Sequence, residues 1–360
     1  MHICVVGLGK IGFNLLKYLL DQFSGEVTGV DVDEEKIKKL QELGYNVTSD
    51  YKMLTTVDTW LLTPSTGKSG EHLFAALDEM LIQPQSLISI ESTLPPGTME
   101  RIRDYLEQKG FNLGLDLFLI HVPHRVMFGE DRTVCDTPRV MGAFTQACLE
   151  KGRQFYQRLV PGLVEVSDVR VAELSKVVEN VKRFVDIAFA EEIYRYCVNE
   201  GIEFQELRLA VNSKQNVELL ATDWGIGGEC LPKDMNFLRA VFGSPLLHGA
   251  ELSDWTYREE IIQRVGSGRR VLLKGISYKP GVKDLEHSRA VDVVRRLRER
   301  GNIVMVEDHL FVEEELVAEG FQPLKPGSES DELKDYAVLS QTPEVILERH
   351  KALEPIVPEF

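Results

Sequence analysis

Residues 225–234 read GIGGECLPKD, which sets a cysteine, Cys230, after a glycine pair and just before a lysine and an aspartate. A thiol serves as a nucleophile when it is reachable, when its thiolate is favoured, and when neighbouring groups can move protons. Gly225, Gly227 and Gly228 let the backbone close tightly on a ligand. Lys233 and Asp234 would supply charge or proton transfer. Taken alone, these ten residues fit an inert loop cysteine equally well.

A second stretch, GLGKIG at residues 7–12, has the form G-x-G-x-x-G. Gly7 permits a tight turn, Gly9 lets the backbone approach a pyrophosphate, and Gly12 allows helix and strand to pack closely. Lys10 and Ile11 open the helix, whose N-terminal N–H groups face the phosphates. Asp31 ends the next strand, about 20 residues on, where a carboxylate meets a ribose 2′-hydroxyl. That carboxylate would repel a 2′-phosphate, and no arginine follows it, so NAD is expected rather than NADP. The alternative, a glycine-rich turn that binds nothing, is at odds with the strand–turn–helix setting.

The elements that must hold these groups are legible from pattern. HICVVGLG is a buried strand entering a turn, and KIGFNLLKYLLDQF carries apolar residues at helical spacing. EVTGVDVD, TWLLTP and SLISIEST read as further strands, EEKIKKLQELG and MERIRDYLEQKG as helices. Strands alternating with helices predict a parallel, doubly wound sheet. From Val169 to Gly201 the pattern predicts one long helix, of a kind that joins two domains and packs on a copy of itself in a homodimer. GSGRRVLLKGISYKP opens a third segment, with AVDVVRRLRERG as a helix and NIVMVEDH and DYAVLSQT as strands. The expected fold class is α/β, two Rossmann-like domains joined by a long central helix. The expected division is 1–160 for the dinucleotide domain, 161–262 for a helical central domain carrying the cysteine loop, and 263–360 for a second, smaller α/β domain.

Composition bounds the rest. At 360 residues the chain has room for two or three domains. Its net charge of −16 disfavours nucleic acid and anionic lipid as partners. No apolar run approaches the ~20 residues of a membrane span, and the start, MHICVVGLG, lacks the pattern of a secretory signal. A cytoplasmic location is expected. Cys4, Cys135, Cys148, Cys197 and Cys230 are scattered and odd in number, which argues against a disulfide framework and a zinc site. Four of them read as small core hydrophobes; Cys230 is the exception.

GIGGECLPKD resembles the active-site segment of the UDP-glucose/GDP-mannose dehydrogenases, approximately GxGGxCxxKD. Other segments agree in order: GLGKIG and VDVD, Thr63-Pro64, ESTLPPGTME (91–100), AELSKVVENVKRFVDIAFAEEI (172–193) and ISYKPGVKDLEHS (276–288). The resemblance implies NAD-dependent oxidation of a nucleotide-sugar C6 alcohol to the carboxylate. Cys230 would carry a thiohemiacetal and then a thioester. It further implies that Lys176 stabilises developing oxyanions, that Asn180 orients the sugar or a water, and that Asp234 and Thr93 form a base relay. Thr63 and Thr93 would line the cofactor, while Gly227 and Lys279 would reach the nucleotide-sugar. Without the resemblance, Lys176 on the stripe Val171, Leu174, Val178 reads as a lysine reaching to solvent. UDP-glucose, UDP-N-acetylmannosamine and GDP-mannose fit alike, with a UDP-sugar as the commonest class and polysaccharide assembly as the setting.

Two departures stand out. The family's glutamate after the strand that follows ESTxPPGT is His124 here, within Pro-His-Arg. Histidine serves as a base near neutral pH, so His124 is expected to activate the hydrolytic water. The family's Asp-x-Arg-Glu-Ser is here Asp284-Leu285-Glu286-His287-Ser288. Arg289 would then compensate for the missing arginine. Glu191 also replaces a common asparagine, and the C-terminal domain is short. These changes leave open a non-catalytic relative that binds NAD or a nucleotide-sugar. A dehydrogenase of the 3-hydroxyacid or 6-phosphogluconate type would need neither GIGGECLPKD nor GISYKP.

Overall fold

The computed structural model describes residues 1–67, 69–126, 135–278, 281–324 and 336–341. The chain divides into two compact units, Met1–Glu179 and Asn180–Phe360.

The first unit runs β1 (His2–Val6), α1 (Lys10–Gln22), β2 (Glu26–Val30), α2 (Glu34–Glu42), β3 (Val47–Thr48), β4 (Thr59–Leu62), α3 (Glu71–Glu79), β5 (Leu87–Ile90), α4 (Thr98–Gln108), β6 (Phe118–His121), β7 (Arg139–Ala143), α5 (Gln146–Tyr156) and β8 (Leu163–Val166). One sheet holds all eight strands in the order β3-β2-β1-β4-β5-β6-β7-β8. The first six are parallel and doubly wound about β1. The strand β1 shows why. Ile3 and Val5 enter one core cluster while Cys4 and Val6 enter the other, so both faces of a wholly apolar strand are covered.

The expectation of a parallel sheet needs one amendment. β7 pairs antiparallel with β6, with Ile120 opposite Ala143 and His121 opposite Gly142. β8 then pairs parallel with β7. Past residue 160, therefore, the chain still contributes to this sheet.

The long helix α6 spans Val169–Glu200, 32 residues, as the pattern predicts. The division between the units falls within it. The stripe Val171–Leu174–Val178 is not its buried face: Val171 and Val178 are 49% and 48% exposed. Burial falls instead on Val177, Val181, Phe184 and Ala188, a neighbouring stripe at the same three-to-four spacing.

The second unit continues with α7 (Phe204–Asn212), α8 (Cys230–Val241), α9 (Pro245–Val265), β9 (Arg270–Lys274), α10 (Arg289–Glu299), β10 (Ile303–Glu307), α11 (Glu313–Ala318) and β11 (Tyr336–Ser340). Its parallel sheet has the order β10-β9-β11. Val271 and Leu273 of β9, Val293, Val294 and Leu297 of α10, and Trp224 and Ile262 share one core. No helix among the described residues is long and apolar enough to cross a membrane.

Candidate active site

In the first unit, the turn after β1 is built by its glycines. Gly7 has φ +88°, and a Cβ there would lie 2.6 Å from Pro64 backbone atoms. A Cβ on Gly12 would lie 1.9 Å from the Gly7 carbonyl oxygen and 2.4 Å from Thr63 Oγ1. A Cβ on Gly9 would meet nothing within 4 Å. Two glycines therefore serve packing, and the third leaves open space beside the first turn of α1, where Lys10 and Ile11 follow. Gly9 caps α1 without a side-chain hydrogen bond, so the helix N-terminus faces the open side of the turn. Thr63 Oγ1 donates to the carbonyls of Val6 (3.0 Å) and Gly7 (2.8 Å), tying the end of β4 to the turn. Asp31 lies just past β2. It accepts from Leu8 N at 2.7 Å, Asp33 N at 3.0 Å and Lys36 Nζ at 3.0 Å.

The loop from β5 to α4 carries ESTLPPGT. Ser92 Oγ donates to the Pro64 carbonyl at 2.6 Å, and Thr93 follows, half-buried. Glu173, on the first turns of α6 and 1% exposed, accepts from Gly97 N at 3.0 Å and Met99 N at 2.6 Å. Its carboxylate thus binds two N–H groups at the start of α4. Lys176 lies three residues further along α6 and is half-buried.

His124 sits in a buried ionic cluster. Its Nε2 is 2.5 Å from Glu91 Oε2, and their side chains are 7% and 1% exposed. Arg139 Nη1 reaches the same carboxylate oxygen at 2.7 Å. Tyr156 donates to Glu91 Oε1, and Tyr156 Oη lies 2.7 Å from Ser89 Oγ. Burial alone would raise the Glu91 carboxyl, but Arg139, His124 and the hydrogen bonds hold it down at about 2. Burial, then Arg139 and, to a smaller extent, Lys176 push His124 down to about 4 against the pull of Glu91. Lys176 is thus close enough for its charge to act on His124. Nε2 lies at ion-pair distance from the Glu91 carboxylate, yet both ring nitrogens are buried and neither makes a well-aligned hydrogen bond among the described residues.

In the second unit, the glycine loop leads directly into α8, which begins at Cys230 itself rather than after it. Pro232 is tolerated in the first helical turn because no intrahelical bond is owed there. Cys4, Cys135, Cys148 and Cys197 are buried, and Cys230 is exposed. Asp234, one turn on and buried, accepts from Asn180 Nδ2 at 2.6 Å. Lys233 is directed to Glu229, at 3.7 Å.

The loop backbone is held on both sides of one residue. Ile226 N donates to Asp254 Oδ1 at 2.6 Å, and its carbonyl accepts from Arg289 Nε at 2.8 Å. Gly228 N donates to the His287 carbonyl at 3.1 Å. Gly225, at φ +106°, has Arg258 Cδ 2.5 Å from where a Cβ would be, and Gly227 faces the His287 carbonyl at 3.0 Å. Arg289 is therefore engaged with the cysteine loop, while Glu286 is exposed. Lys279 lies outside the described residues. Glu91, Glu173 and Asp254 were not singled out by sequence reasoning. Glu91 and Glu173 lie inside quoted segments, yet no spacing signals where their carboxylates turn.

Residues 170–252 match the model of the UDP-glucose/GDP-mannose dehydrogenase family, central domain, and residues 3–52 match the TrkA-N domain. An NDP-N-acetyl-D-galactosaminuronic acid dehydrogenase of Ralstonia nicotianae is 27% identical, over 86% of this chain and 84% of that protein. A UDP-N-acetyl-D-mannosamine dehydrogenase of Methanocaldococcus jannaschii is 28% identical, over 83% and 77%. Over residues 170–252 the chain thus carries the central-domain pattern of that family, and the relatives that align over most of its length are nucleotide-sugar dehydrogenases. A solved UDP-D-ManNAc dehydrogenase from Pyrococcus horikoshii shares the fold, with a TM-score of 0.81 over 99% of this chain and 97% of that one at 24% identity.

The matched family and the TrkA-N match at residues 3–52 point to NAD, and the first unit fits that cofactor. The open space at Gly9, the N-terminus of α1 and the Asp31 carboxylate are arranged as a dinucleotide requires. The carboxylate that the family places after β6 is absent from residue 124. Within the same unit, Glu91 brings a carboxylate to that position's side chain.

Proposed function

We propose that this dehydrogenase oxidises the C6 alcohol of a nucleotide-sugar to the carboxylate through a thioester on Cys230. The observation that carries the reading is the second unit's thiol. It is the exposed cysteine, it opens a helix whose N-terminal dipole favours negative charge, and the buried Asp234 lies one turn on, held by Asn180. A four-electron oxidation without loss of the aldehyde needs a covalent tether, and a thiol forms and breaks one readily.

NAD, which the Gly9 turn and Asp31 would hold, would supply the hydride acceptor for both oxidations. The side chains do the rest. Lys176 stabilises the oxyanion that develops at C6. Thr93 and Asp234 relay the proton leaving the alcohol. Cys230 Sγ adds to the aldehyde, and the resulting thiohemiacetal is oxidised to the thioester. His124 takes the proton of the water that hydrolyses it. Asn180 positions Asp234 and the sugar. Gly227, Lys279 and Arg289 serve the nucleotide end, with Arg289 also bracing the loop. In this reading 1–160, 161–262 and 263–360 act as cofactor, cysteine-loop and nucleotide-sugar segments.

The substrate we favour is a UDP-N-acetylhexosamine, since all three relatives named above are named for N-acetylated sugars and two of them for UDP-sugars. A second copy of the chain would cover the apolar side of α6, where Val178, Phe189 and Tyr196 are 48%, 59% and 56% exposed. The test is NADH formation from NAD with UDP-N-acetylmannosamine, UDP-N-acetylgalactosamine, UDP-glucose and GDP-mannose. Turnover with a UDP-sugar supports the reading. Measurable NAD binding without turnover of any of them overturns it in favour of a non-catalytic relative.

A further inference from the structure

We propose that Glu191, a carboxyl buried on α6, is a positioning residue for the cysteine loop and serves it as a neutral acid. Uncharged, it leaves Arg258 to Asp254 and the loop stays clamped. Ionised, it draws Arg258 away and the loop loosens. All the groups involved lie in the second unit. The proposal goes beyond the thioester reading: it gives the loop that carries Cys230 a built-in response to alkaline pH.

The clamp is made of two side chains from α9. Asp254 Oδ1 accepts from Ile226 N at 2.6 Å, and its Oδ2 accepts from Arg258 Nη2 at 2.9 Å and Nε at 3.3 Å. Both side chains press on the turn itself: a Cβ on Gly225 would lie 2.5 Å from Arg258 Cδ and 3.0 Å from Asp254 Oδ1. From α10, Arg289 Nε holds the Ile226 carbonyl at 2.8 Å. Glu191 takes no part in these bonds. It is 0% exposed, and neither carboxyl oxygen has a hydrogen-bond partner among the described residues. An unpaired buried carboxylate is among the costliest groups a fold can hold, and the same group is far cheaper with its proton on.

Charge balance supports the neutral form. Arg258 and Arg289 are matched in number by Asp254 and by Asp292, whose Oδ2 lies 3.7 Å from Arg258 Nη1. An ionised Glu191 would add a surplus negative charge. The groups that face it are Asp254, Arg258 and Tyr257 from α9, Asp223 from the segment before the loop, Arg289 from α10 and Glu192 from α6 itself. Burial and then Asp254 hold its carboxyl well above the usual carboxylate range, against the pull of Arg258. An ionised Glu191 therefore competes with Asp254 for Arg258. Asp254 would lose the fork that orients it while facing a second carboxylate, and its bond to Ile226 N depends on that orientation.

Hydrogen exchange of the full chain, read by mass spectrometry on the peptide containing Ile226 and Gly228, tests the proposal without turnover. Each rate is corrected for the intrinsic pH dependence of exchange and compared with that of β9. In wild type, protection of the loop should fall about tenfold or more between about pH 8 and pH 10. In Glu191→Gln, which cannot ionise, it should match wild type at the lower pH and change less than about twofold. Glu191→Met, equally uncharged, is measured alongside, so that a folding failure of one variant leaves the other to decide. Asp223→Asn controls for the neighbouring buried carboxyl and should loosen as wild type does. Infrared difference spectra between wild type and the uncharged variant at the lower pH should show the carbonyl stretch of a neutral carboxyl. Equal alkaline loosening in the uncharged variant, no loosening in wild type, loosening abolished by Asp223→Asn alone, or an ionised Glu191 in the infrared spectra would each overturn the proposal. If no nucleotide-sugar is turned over, the thioester reading fails, while these readouts still decide the role of Glu191.

Discussion

His124 is held neutral by its surroundings, and this has a consequence for stability. Its ring is pushed down to about 4 by burial and by Arg139, below the value near 6.5 of an exposed histidine. Between those values the unfolded chain binds a proton that the folded chain does not. Stability is therefore expected to fall as pH drops from about 6.5 to 4. Glu91 behaves in the same direction over a lower range: it is held at about 2, so its contribution is lost as pH falls below about 4.5. His124→Gln should flatten the loss between pH 6.5 and 4 and leave the loss below 4.5 in place. Thermal midpoints of both proteins across that range check this, and an unchanged pH slope in the variant would show that another group titrates there. Asp223 works in reverse. Burial raises its carboxyl to about 7 despite hydrogen bonds from Trp224 N–H and Gln341. Its folded form binds the proton more tightly, so it weakens the fold as pH rises from about 4 through 7, and Asp223→Asn should remove that decline.

At the scale of elements, the turn from β1 to α1 separates packing from binding. A Cβ on Gly12 would lie 1.9 Å from the Gly7 oxygen, whereas one on Gly9 would meet nothing within 4 Å. Gly12→Ala should cost about 3 kcal/mol or more of stability, because backbone rather than a flexible side chain must yield. Gly9→Ala should fold with a nearly unchanged midpoint and bind NAD more weakly. Chemical denaturation and NAD titration of the two variants distinguish these outcomes. This turn was legible in sequence because glycine spacing, strand and helix are all local, and the 32-residue α6 was legible for the same reason. The start of α8 was less so. The glycines suggested a turn around Cys230, but the helix begins at the thiol and absorbs Pro232 into its first turn. The antiparallel join of β6 to β7 and the short, half-exposed β8 carried no periodic signal. Glu91 escaped notice because its partners, His124, Arg139 and Tyr156, come from three later segments. Only the sheet brings them together.

For the molecule as a whole, the account makes the first unit the cofactor's and the second the thiol's. Ligand binding to the native state raises stability by mass action. NAD at 100 times its dissociation constant should add about 2.7 kcal/mol, and Gly9→Ala should reduce that gain at fixed NAD. Calorimetry with and without NAD measures both. The central claim, however, is the tether. The measurement that tests it most directly is the number of NADH formed per nucleotide-sugar consumed, in wild type and Cys230→Ala. The account predicts two for wild type and no uronate from the variant. One NADH per sugar with release of free aldehyde, or two from the protein lacking the thiol, would contradict it.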